Sequence, residues 1–183
     1  MFIGQNSYLK PKYFIMIKTL ENVTRSLNRI SGEKEFVIES LDGMATIIEA
    51  RDTFKSFVDA SFKQWGLDQP GRITNETIMD VYEIVGQGRF PEVYARLTAN
   101  LDMAMVTQHQ IIRFCERYPM LFHQKGYCYF FLIKEAREYF MVYTKNNSSG
   151  LFASLDRFNG FVNWPGKDCH RRIIVPQLIL PLV

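Results

Sequence analysis

Apolar residues recur at helical spacing through much of the first half of the chain, then alternate or run together through the last third. Residues 16–30, "MIKTLENVTRSLNRI", place Ile17, Leu20, Leu27 and Ile30 on one face with charges opposite, which predicts a helix ended by Gly32. In "EFVIESLDGMATIIEA" two β-prone runs flank Asp42-Gly43, a two-residue turn signal. Hairpin pairing there sets Ile38 beside Ile47 and Val37 beside Ile48. "RDTFKSFVDASFKQWG" predicts a helix capped by Asp52 and closed by Gly66. Its stripe of Phe54, Phe57, Val58, Phe62 and Trp65 is expected in the core, because rings of that size are costly to leave in water.

After a Pro-Gly loop, residues 76–85 read as a short helix with Ile78, Val81, Tyr82 and Val85 inward. "PEVYARL" opens another, Pro91 being tolerated in a first turn. Thr107 and Gln110 have capping-box spacing ahead of Ile111, Ile112, Cys115 and Tyr118, and Pro119 halts that helix. From Gly126 the period changes. "YCYFFLIKE", "EYFMVYTK", "LFASLDRF" and "RRIIVP" are rich in aromatic and β-branched residues and read as strands. The expected fold is α+β: a helical N-terminal two-thirds with one β-hairpin, followed by a C-terminal antiparallel β-meander of about four strands. Residues 1–15 are expected as a loosely ordered N-terminal arm and residues 16–183 as a single α+β domain.

Composition supports a real core: 47% of residues are hydrophobic, with 15 Phe and 9 Tyr. The formal charge of +3 is unevenly spread, at +4 for residues 1–30, −5 for 31–100 and +4 for 101–183. A basic C-terminal half makes a nucleic-acid partner one reading. The start of the chain lacks a signal-peptide pattern, and no run reaches the ~18 apolar residues of a membrane span. Three cysteines without a disulfide spacing fit a reduced, cytoplasmic setting with no membrane.

Several phrases taken together, "LDGMATIIEARDTF", "FKQWG", "TQHQIIRF", "YFFLIKE" and "HRRIIVPQL", resemble a family of bacterial hypothetical proteins of roughly 200 residues with no assigned function. The resemblance spans residues 35–178. It implies a self-contained bacterial protein and assigns no role to any residue.

Candidate chemistry is sparse. Cys115, His123, Cys128, Cys169 and His170 are metal-ligand types, but they lack the close pairs that zinc sites use, and no metal or cofactor is expected. A thiol hydrolase would draw on Cys128 or Cys169, His170 or His123, and Asp156 or Asp168, without a diagnostic motif. Two glycines in "GQGRF" lack the rest of a phosphate loop. Near a helix N-terminus, Gln108, His109 and Arg113 suit contact with nucleic acid. Tyr127, Tyr129 and Tyr143 with neighbouring Arg suit a looser RNA contact.

At the C-terminus, "NWPGKDCHRRIIVPQLILPLV" gathers Trp164, Asp168, His170, Arg171 and Arg172 ahead of an uncharged run. Strand alternation sends His170 and Arg172 to one face and Arg171 to the other. What remains is an anion contact by Trp164, His170, Arg171 and Arg172. The apolar tail itself fits either the domain's own core, a protein partner or self-association. The favoured reading is a non-enzymatic binding or protein-interaction module. A nucleic-acid-associated protein is the alternative, and a Cys/His-dependent hydrolase is third.

Overall fold

The computed structural model of the protein describes residues 27–31, 36–85, 89–122, 126–159 and 170–178. Among these, eight strands form one mixed sheet: β1 (Leu27–Arg29), β2 (Phe36–Ile38), β3 (Phe57–Val58), β4 (Thr77–Ile84), β5 (Tyr127–Glu135), β6 (Glu138–Asn147), β7 (Gly150–Arg157) and β8 (His170–Pro176). Across the sheet they run β1-β4-β8-β5-β6-β7-β3, and β2 also pairs with β4, beside residues that β1 leaves free. The described helices are short: α1 (Ser61–Gln64), α2 (Phe90–Leu97), α3 (Gln108–Arg117) and α4 (Pro119–Phe122), with a 3-10 turn at Leu101–Ala104. None is long and apolar enough to cross a membrane.

The sheet is covered on both faces. On one, Val81, Phe131, Val142 and Ile174 pack with Phe62 of α1, Ile111 and Phe114 of α3, and Phe122 of α4. On the other, Ile84, Phe130, Leu132 and Ile173 pack with Phe90, Val93 and Tyr94 of α2. Strands buried on both sides lose the apolar–polar alternation that marks a one-sided sheet. That explains the main correction: among the described residues the N-terminal two-thirds is not largely helical but carries four strands of the sheet and only short helices. "TIMDVYEI", expected as helix, is β4: Ile78, Val81 and Ile84 recur at helical spacing, yet the segment is also rich in β-prone residues, so it suits either template. The ladder from β8, with Val81 opposite Ile174 and Tyr82 opposite Ile173, decides for strand.

Three further expectations change. Of the helix expected over residues 16–30, the described part contains β1, and the rest, like the arm expected over residues 1–15, lies outside the described residues. Asp42-Gly43 makes a bend and not a hairpin. The Asp42 carboxylate accepts the Met44 N–H at 2.9 Å, and Gly43 has a φ of +80° with its backbone against Arg72, where a Cβ would collide with that carbonyl. β2 therefore pairs with β4, Val37 opposite Ile78. The helix expected from Asp52 to Trp65 shrinks to α1, and its stripe divides: Phe54 and Phe62 are buried, whereas Phe57 is 53% exposed.

The C-terminal strands form where expected, with one difference of topology. β5, β6 and β7 are successive antiparallel neighbours. β8 leaves that meander and inserts between β4, antiparallel, and β5, parallel. Ile173–Val175 of the apolar tail are thus spent in the centre of the sheet, and residues 179–183 lie outside the described residues. Pro91 in the first turn of α2 and the Thr107–Gln110 capping box of α3 stand as the sequence predicts.

Candidate functional site

The residues singled out in the sequence are largely committed within the fold. On β8, His170 and Arg172 share one face, and Arg171 turns to the other. His170 stacks on Tyr127 with ring centroids 4.8 Å apart, and its Nδ1 lies 3.1 Å from Glu83 Oε1. Arg172 is only 8% exposed. Its guanidinium covers the Tyr127 ring at 3.8 Å and Nη1 donates to the Tyr129 hydroxyl at 3.1 Å. The Tyr129 hydroxyl in turn donates to the Leu121 carbonyl, tying β5 to α4. Burial lowers the Arg171 guanidinium from its ordinary pKa. Trp164, Asp168, Cys169 and His123 lie outside the described residues.

The α3 group is similarly occupied. Gln108, 9% exposed, accepts the Ile47 N–H at 3.0 Å, and so pins the 46–50 turns to the start of α3. His109 Nδ1 stands 3.2 Å from Asp42 Oδ1. Arg113 donates through Nε to Glu39 at 2.9 Å and through Nη1 to Glu116 at 2.8 Å. Hydrogen bonds from Arg113, together with the Glu39 backbone and Arg117, hold the Glu39 carboxyl down at about 2. These side chains bind the helix to β2 and its exit. Of the ring set, Tyr129 is fully buried, and Tyr143 is half-buried and stacked on Phe130.

Neither described cysteine offers an activated thiolate. Cys128 is disulfide-bonded, contrary to the expectation of three reduced thiols. Burial pushes the Cys115 thiol well above its usual pKa. Asp156 is exposed and accepts the N–H of its neighbour Arg157. Among the described residues no group of three His, Cys, Asp or Glu side chains gathers around a common point.

The two sides of the sheet differ in a way the sequence did not signal. Along β2, the Tyr118 hydroxyl lies 2.7 Å from the Val37 nitrogen and 2.8 Å from its carbonyl oxygen, accepting from one and donating to the other. Pro119 ends α3 so that Tyr118 can reach back, and its ring packs edge-on against Phe36 at 5.0 Å. An exposed row of strand N–H and C=O groups is a template for further pairing, and here it is plugged.

β3, at the far side, has β7 as its one neighbouring strand among the described residues. Ser56 donates its N–H to the Leu151 carbonyl at 3.1 Å, and Asp59 to Ala153 at 3.0 Å. Burial pushes the Asp59 carboxyl up, but hydrogen bonds from Ser61, Ser154 and Leu155 outweigh it and hold the pKa below its usual value. Among the described residues, no side chain bonds to Phe57 or Val58 from the outer side. Beside this open edge lies a trough of about 440 Å³ with Ile48, Val58 and Ala60 as apolar lining and Arg51 and Lys63 as its cations. Phe57 stands on the opposite face of the strand, projecting into solvent.

The sequence reading missed this place because it put Phe57 in a helical stripe. The available signal was Asp59 two residues before Ser61, an Asx-turn spacing that stops a helix from running through. Comparison of the chain with protein-family models, with curated proteins and with solved structures finds no match.

Proposed function

We propose that this chain is a protein-binding module that receives an extended segment of a partner as an added strand along β3. The observation that carries the reading is the state of β3: its outer side is open among the described residues, beside an apolar trough and an exposed Phe57, whereas the short margin strand β2 is plugged by Tyr118. Strand addition draws affinity from main-chain hydrogen bonds and selectivity from pockets that take alternate side chains. β3 offers both. An incoming strand directs every second residue toward the Val58 side, into the trough, and the intervening residues toward Phe57.

Selection of ligands for the whole chain from a random peptide library tests this. Ala60 is exposed and lines the trough, so Ala60→Trp fills the trough without disturbing the core. Selected peptides should bind the wild-type chain and lose binding to Ala60→Trp. Ligands that bind both chains equally well would place recognition elsewhere and remove the proposal.

A further inference from the structure

Resting on that strand-addition reading, we infer that the partner segment is a short apolar run flanked by acidic residues. The charge around β3 carries this. Arg51 and Lys63 line the trough, and Lys55 is exposed two residues before Phe57. Among the described residues none of the three takes part in an ion pair. Elsewhere several arginines and lysines of the sheet and helices are mated: Arg29 with Asp80, Arg113 and Arg117 with Glu39, Lys134 with Asp102. The carboxylate in the trough lining, Asp59, is already taken by the Ser61 N–H and the Ser154 hydroxyl at 2.9 and 2.7 Å.

The open strand therefore has apolar groups close to cations: Ile48, Val58 and Ala60 with Arg51 and Lys63 in the trough, and the exposed Phe57 with the exposed Lys55 two residues before it. Opposite charges on the flanks of an incoming strand steer it to this edge and fix its register, and like charges repel it. The apolar centre supplies contact area that ammonium and guanidinium groups cannot.

The probes are capped octapeptides with four central valines and either two Glu or two Lys at each end, tested for binding to the full chain. The Glu-flanked peptide should bind roughly tenfold more tightly at low salt, and the margin should narrow as added salt screens exposed charges. Arg51→Glu with Lys63→Glu, both changes at exposed side chains, should reverse the preference. A third probe, the Glu-flanked peptide N-methylated at alternate residues, removes the strand-pairing N–H groups and should not bind. Equal binding of the Glu- and Lys-flanked peptides, or binding of neither, overturns the acidic-partner inference. If Ala60→Trp still abolishes binding of library peptides, the strand-addition reading stands without it. Full binding of the N-methylated probe overturns strand addition itself.

Discussion

β2 and β3 present the same liability with opposite solutions. Both are short and sit at the margins of one sheet, yet Tyr118 closes the first with a hydroxyl that both accepts and donates, and nothing among the described residues closes the second. A sheet covered on both faces has only its margin strands left for recruiting another chain, so the difference between these two strands separates scaffold from contact surface. The plugged side also carries the dense ion-pair group of Glu39, Arg113, Glu116 and Arg117, whereas the open side leaves its cations unmated among the described residues.

Undermining the plug from beneath has the largest expected effect. Phe114 is fully buried and touches the rings of Phe36, Tyr118, Phe122 and Phe131. Phe114→Ala should lower unfolding free energy by about 3–5 kcal/mol in urea titration. Tyr118→Phe keeps the ring and deletes the plug. It should cost about 1–2 kcal/mol by the same measurement, and sedimentation should show new concentration-dependent association through β2. An unchanged, monodisperse variant would show that the hydroxyl does not distinguish the edges.

Acid acts on the plugged side next. The Glu39 carboxyl sits at about 2 in the folded chain, below the ~4.3 of an unperturbed Glu, so its stabilisation is present above the unfolded value and is lost as pH falls toward 2. Stability measured from pH 5 to pH 2 should fall less steeply in Glu39→Gln than in the wild-type chain. Because this network is partly exposed, the total effect at neutral pH should stay within about 1 kcal/mol. Smallest for stability is Phe57→Ser on the open side. It should change unfolding free energy by no more than about 0.5 kcal/mol while weakening peptide binding, which separates contact from scaffold in a single substitution.

The parts of this fold that were legible in the sequence are those whose local preference and tertiary role agree. β5 and β6 carry dense aromatic and β-branched runs joined at Ala136-Arg137, and the box of Thr107 with Gln110 is satisfied by bonds of 2.9 and 3.2 Å. β4 was not legible, because its apolar spacing suits a helix and its identity depends on β8, more than eighty residues later in the chain. Nor was β3, a two-residue strand created by β7 from outside. Of the candidate site residues, His170, Arg171 and Arg172 fall on the strand faces that alternation predicts, but their partners Glu83, Tyr127 and Tyr129 come from other strands and could not be read locally. An open edge is a property of topology and has no residue signature.

The position of β8 has a consequence for how the chain is made. β4 and β5 have only this strand between them, and it leaves the ribosome after both. Without it the strand order divides into two partial sheets, β1-β2-β4 and β5-β6-β7-β3, each with a raw inner margin. Closure then joins residues far apart in sequence, the kind of pairing that makes folding slow. During that interval the margins most open to wrong pairing are the inner ones, which the finished protein hides completely.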